Sequence, residues 1–214
     1  SLRAGNTRGM GATQTSGLVD LGDFCRSAIE PELAAGAAAP NDLPILKADA
    51  IKFLSTFRSQ LDVDAYRRII PLLAPLLGSS YIVVHTYAAH AIERLLTVRV
   101  AAGPAGCAPV PKYGPAELAA HVQPLLVGLF GVLKRPGSTE NDYAMKAVMR
   151  VATCASGEQL TPLVGTLIEE LKAILARVCA NPSAPGFNHY LFETVAALVR
   201  DVCAANPTAV DAFE

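Results

Sequence analysis

Apolar residues in this chain recur at three- and four-residue intervals, the spacing of one face of an α-helix, rather than in the alternation of a strand. Turn-forming residues cut that pattern into helix-length pieces. The first spans about Leu18 to Ala34 and is closed by Ala-Gly-Ala-Ala-Ala-Pro. Asn41 or Asp42 can cap a second, with Pro44 in its first turn, running to about Ser59. Asp62 or Asp64 opens a third that ends at Gly78, and Ser79 or Ser80 caps a fourth that reaches Arg99. After AAGPAGCAPVPKYG, Gly114-Pro115 starts a fifth helix to about Lys134, and Arg135-Pro136-Gly137 breaks it. Ser138 or Thr139 starts the sixth. Ser156 with Gln159 forms a capping box for the seventh, which Asn181-Pro182 stops. The eighth runs from about Pro185 to Ala204, and Asn206-Pro207 opens a ninth.

The pieces fall into successive pairs. First members start near residues 43, 81, 138 and 185. Once the 100–114 insertion is removed, the period approaches the ~40–47 residues of HEAT-type repeats. Second members share an apolar, proline-containing entry, seen as IIPLLAPLL, HVQPLLVGLF and LTPLVGTLI. Paired helices at this period stack into a solenoid; a compact bundle is the structural rival. The expected fold is therefore all-α, a right-handed HEAT-repeat superhelix of about four helix pairs over residues 18–214. Residues 1–17 are expected to be a flexible start and 100–114 a mobile inserted loop, because little burial offsets their ordering entropy.

Composition narrows the function classes. The chain is 51% hydrophobic and 17% charged, which excludes wholesale disorder. With 18 basic and 19 acidic residues there is no cationic excess to neutralise phosphates, so nucleic acid is not the expected partner. No uncharged apolar run reaches the ~18 residues of a membrane span, so no membrane insertion is expected. The start, SLRAGNTRGMGATQTSG, has neither an apolar signal core nor an initiator Met and reads as a cut end. Five cysteines without a C-x-x-C pair suit a reduced compartment.

No constellation for catalysis or metal binding stands out. His85 and His90 are five apart, about 140° around a helix, whereas a zinc helix needs i and i+4. Helix capping or interhelical hydrogen bonding is the expected role. Cys154, Cys179 and Cys203 recur near helix ends, where stacked repeats bury small apolar residues, and burial in the core is the expectation. Phosphate-binding and nucleophile-elbow motifs are absent. Arg67 and Arg68 on the third helix, with Glu169, Glu170, Lys172 and Arg177 on the seventh, form either a solvated face or a partner-facing stripe on the inner surface.

Four stretches carry a family resemblance: PNDLPILKADAIKFLSTFRSQ, IVVHTYAAHAIERLLTVR, RPGSTENDYAMKAVMR and NPSAPGFNHYLFETVAALVRDVCAANPTAVDAFE. In order and spacing they are similar to the central region of the cellular apoptosis susceptibility exportins of the importin-β superfamily. The resemblance implies a protein-binding solenoid that is not an enzyme. It implies importin-α, the GTP form of Ran and nuclear pore proteins as partners, and shuttling between nucleus and cytoplasm. The nucleotide belongs to Ran, so no cofactor is expected in this chain. The 100–114 insertion, Ala35–Ala39, Ala184 and Gly186 depart from the family pattern. A generic HEAT scaffold subunit that binds other proteins is the alternative.

Overall fold

The computed structural model describes residues 20–102 and 107–213. Among them are eight helices. Helix α1 joins an α-helical turn at Leu21–Phe24, a π-helical stretch at Cys25–Ile29 and an α-helix at Glu30–Ala38. Next come α2 (Pro44–Phe57), α3 (Val63–Leu76) and α4 (Ile82–Leu96). Helix α5 runs from Pro115–Leu118 through a 3-10 turn at Ala119–His121 into Val122–Leu133. Helix α6 is Asp142–Cys154. Helix α7 likewise passes from Gly157–Leu160 through a 3-10 turn at Thr161–Leu163 into Val164–Ala180. Helix α8 is Pro185–Ala205, and Pro207–Phe213 follows as 3-10 helix.

The helices lie in two rows. Helices α2, α4, α6 and α8 pack in sequence order to form the first row. The second row is α1, α3, α5 and α7, with α1 on α3 and α3 on α5. Across the rows the closest neighbours are α1 with α2, α3 with α4, α5 with α6 and α7 with α8. Substantial packing therefore joins only neighbours and next neighbours in the chain, which is the geometry of stacked repeats and not of a closed bundle. The core is a strip between the rows: Leu54, Ile69, Leu73, Ile92, Leu129, Val148 and Leu191 are each 1% exposed or less.

Proline explains the breaks in the second row. Pro124 and Pro162 cannot donate to the preceding turn, and the ring crowds the carbonyl four residues back. The chain answers with the 3-10 turns just before or around them. Pro71 and Pro75 lie within α3, which stays continuous.

Several ends differ from expectation. Helix α1 continues to Ala38 because the alanine run prefers helix and Gly36 lets it close on α3; a Cβ there would sit 2.9 Å from Leu76 Cδ2. The expected cap Asn41 is used elsewhere, and Leu43, at φ 43°, precedes α2. Asp62 does cap α3, accepting from the Ala65 amide at 2.7 Å. Asn141, not Ser138 or Thr139, caps α6. The Ser156–Gln159 capping box forms as read. The 100–114 insertion is not wholly irregular: Arg99–Val100 and Val110–Pro111 pair as a two-residue antiparallel ladder. Behind it Tyr113 is buried, and the Lys112 ammonium donates to the Ser59 and Leu61 carbonyls. The tip at 103–106 and the expected flexible start at 1–17 lie outside the described residues.

Candidate protein-binding face

The second-row helices are amphipathic by sequence: on α3, Tyr66, Ile69, Ile70 and Leu73 turn inward and leave Arg67 and Arg68 on the outer side. The Arg68 guanidinium grips the Glu30 carboxylate of α1 with two bonds, 2.9 and 3.0 Å. Arg67 faces Asp64 at 2.7 Å and reaches Glu117 of α5 at 3.6 Å. On α7, Glu169 pairs with Lys172 at 3.1 Å, and Glu170 with Lys134 at the end of α5. Arg177 donates to the Thr139 carbonyl at 3.3 Å.

The six candidate residues thus do not converge on one point. They form two charged groups, on α3 and on α7, each tied to the neighbouring helix of the same row. Sequence reasoning missed the partners Glu30, Glu117 and Lys134. A signal for two of them was present: Glu30–Arg68 and Lys134–Glu170 are 38 and 36 residues apart, close to one repeat. Opposite charges one repeat apart meet when equivalent helices stack. Such exposed pairs contribute only ~0.2–1 kcal/mol each, so they leave the face available to a ligand of higher charge density. Between α5 and α7 a groove of about 280 Å³ is lined by Leu126, Val127, Phe130 and Leu167, with the Lys134–Glu170 pair at its edge.

The connections from α1 to α2, α3 to α4 and α5 to α6 carry a polar network. Asn41 Oδ1 accepts from the Ser80 amide at 2.8 Å and from both serine hydroxyls at 79 and 80. Arg135 donates to the carbonyls of Gly78 and Ser79. His85, buried, donates from Nδ1 to the Ser79 carbonyl (3.0 Å) and accepts at Nε2 from the Ser138 hydroxyl (2.8 Å). Burial, and secondarily Arg135, push the His85 pKa below its ordinary value; the Ser79 carbonyl opposes them. His85 thus ties α4 to the connections that precede α4 and α6, rather than bonding helix to helix. His90 turns elsewhere, edge-on to the Tyr143 ring at 5.1 Å.

The cysteines divide. Cys25 is buried, and desolvation raises its thiol pKa to about 11. Cys154 is half-buried and also raised by burial. Cys179 is exposed and Cys203 half-buried, which corrects the expectation of core positions for all three recurring cysteines. Among the described residues no three His, Cys, Asp or Glu side chains gather as metal ligands would. Helix α5, Pro115–Leu133, is long and apolar enough to cross a membrane by length and composition alone. In this fold Leu118, Leu125, Leu126 and Leu129 on it are buried.

Comparison with known proteins places this architecture. Residues 93–214 match the family described as CAS/CSE protein, C-terminus, and residues 2–92 match the family described as Cse1. The chain is 44% identical over 208 residues to Exportin-2 of Oreochromis niloticus and to Exportin-2 of Homo sapiens. Each alignment covers 97% of this chain and 20% of the relative, so the chain spans about a fifth of the length of the curated relatives it matches. The solved structure of the exportin Cse1 in its cargo-free, cytoplasmic state matches with a TM-score of 0.62 at 28% identity, over 92% of this chain and 20% of that one. With HEAT-type paired helices in two rows and matches running from residue 2 to residue 214, this chain belongs to the CAS/Cse1 exportin family.

Proposed function

We propose that this chain is a stretch of a nuclear export receptor that returns importin-α from the nucleus to the cytoplasm together with GTP-bound Ran. The observation that carries the reading is 44% identity to Exportin-2 along 97% of the chain. The likeness to exportin Cse1 over 92% of the chain supports it from the fold. The receptor shuttles through the pore, meets nuclear pore proteins there, and acts by binding rather than by catalysis. Ran holds the nucleotide. We assign partner contact to the second-row face of Arg67, Arg68, Glu169, Glu170, Lys172 and Arg177. Supporting it, the side chains of Arg67, Glu169 and Lys172 stay more than half exposed despite their ion pairs. Residues 18–214 act as one solenoid segment, with 100–114 as an insertion in it.

A chimera tests the reading. The matching segment of human Exportin-2 is replaced by this chain, and importin-α binding is titrated with GTP-loaded Ran, with GDP-loaded Ran and without Ran. The expected result is tight binding only with the GTP form. A folded chimera that binds importin-α equally under all three conditions, or under none, sinks the proposal.

A further inference from the structure

A cleft of about 480 Å³ opens on the first-row face, across α2, α4 and the start of α6. Three cations line it: Lys52 on α2, Arg58 at the C-terminal cap of α2, and Arg94 on α4. Tyr87 and Tyr143 border it and are both exposed. The Tyr143 ring is held against His90. Among the described residues no acidic side chain lines the cleft. Asp49, one turn before Lys52, is not part of it, and Glu93 is buried beside Lys146 and Arg150 at 3.8 and 3.7 Å.

The contrast with the second row is the argument. There Arg67, Arg68, Lys134 and Lys172 each face a carboxylate. In the cleft, Arg58 donates only to the Ser55 carbonyl, and among the described residues neither Lys52 nor Arg94 has an ion-pair partner. Like charges gathered in a partly enclosed, low-dielectric space repel, and an incoming anion relieves that repulsion. Burial, then Arg94, lower the Arg58 pKa, and Tyr66 and Glu93 oppose them.

We infer that this cleft docks an extended, carboxylate-rich segment of a protein partner. The charge of the lining, three cations on two helices without a carboxylate, argues for that occupant. Lys52 and Arg58 are six residues apart on one helix, about 9 Å along its axis. With Arg94 on α4 they spread positive charge over two helices and more than one turn, so a ligand carrying several anionic groups neutralises more of it than a single anion does. An extended peptide rich in Asp and Glu presents carboxylates about every 7 Å along one side and so offers several of them to the one cleft. The guanidinium forks of Arg58 and Arg94 suit carboxylates, and the tyrosine hydroxyls can donate alongside them. The inference stands apart from the export reading, because it uses the other row of helices and no property of Ran or importin-α.

The test is fluorescence anisotropy on the 214-residue chain with three labelled decapeptides. One is rich in Asp and Glu, one is its Asn/Gln counterpart, and one carries phosphoserines in a neutral background. The acidic peptide is expected to bind, the Asn/Gln peptide not to bind, and affinity to fall between about 50 and about 300 mM salt. Arg58→Gln with Arg94→Gln is expected to weaken binding by at least about tenfold, and the exposed Lys52→Glu by about fivefold. Arg26→Gln with Arg200→Gln removes the same charge at two exposed positions outside the cleft and the second-row stripe, each paired with a nearby aspartate, and should change binding less than about twofold. Lys52→Glu keeps the test valid should the Arg58 variant fail to fold. Absence of acidic-peptide binding, equal loss in the Arg26/Arg200 variant, insensitivity to Lys52→Glu, or binding of the phosphoserine peptide alone would each overturn the assignment.

Discussion

Gly157, at the first turn of α7, is where a single atom decides packing. A Cβ there would stand 2.1 Å from the Asp201 carbonyl oxygen and 2.8 Å from Ala205 Cβ on α8. Backbone cannot yield as a flexible side-chain tip does, so Gly157→Ala must push α7 and α8 apart. The expected cost is about 2 kcal/mol, read as a lower urea midpoint; an unchanged midpoint would show that the helix ends slide without penalty. His85 makes a second prediction at this scale. Its native pKa lies below its ordinary value near 6.5, so above that value both native and unfolded chains hold it neutral. As pH falls below 6.5 the unfolded chain takes up a proton that the native state refuses, and stability drops toward the lowered native pKa. His90 adds with the same sign: burial lowers it, with Arg94, Lys146 and Arg58 assisting and Glu93 opposing. The urea midpoint should therefore be lower at pH 5.5 than at pH 7.5, with a smaller difference in His85→Gln. A midpoint that holds or rises on acidification contradicts this account.

Between elements, α4 and α6 are joined in part by a loosely made polar cluster. Glu93 is 2% exposed and accepts from the Thr97 hydroxyl at 3.0 Å. Lys146 and Arg150 approach it only to 3.8 and 3.7 Å, and Glu93 Oε2 and Arg150 Nε have no partner. Glu93→Ala strips the counter-charge from both cations. The two are roughly a third exposed and can turn to solvent, so the loss is expected near 2 kcal/mol rather than the larger cost of a fully buried pair. A double-mutant cycle with Arg150→Ala measures the coupling, and additive losses would mean that the pair contributes nothing as a pair.

For the whole molecule, stacking of repeats spreads any ligand contact over residues distant in sequence. The isolated 214-residue chain is expected to bind importin-α and GTP-loaded Ran far more weakly than a complete exportin, since whole contact patches and the avidity between them are missing. A side-by-side titration measures the gap, and equal affinity would place the entire site within this chain. An apolar groove of about 230 Å³ among Leu171, Leu175, Leu198 and Phe213 lies at the end of the stack.

Local chemistry alone determined much of this protein. The three-four periodicity, Asp62, the Ser156–Gln159 box and the proline breaks place eight helices and their two-row pairing, because caps and steric exclusions act within a few residues. The long unusual strings carried the family. What only the tertiary structure decided is where charges finish. Arg68 and Glu170 are ordinary surface residues until stacking brings Glu30 and Lys134, one repeat away, against them. Asn41 is a plausible cap in sequence but is drawn across to Ser79 and Ser80 by the next repeat. The cleft of Lys52, Arg58 and Arg94 belongs to no motif, since its cations come from two helices and have no local pattern to announce them. Electrostatic contact depends on distance through space, and helix packing sets that distance independently of separation along the chain.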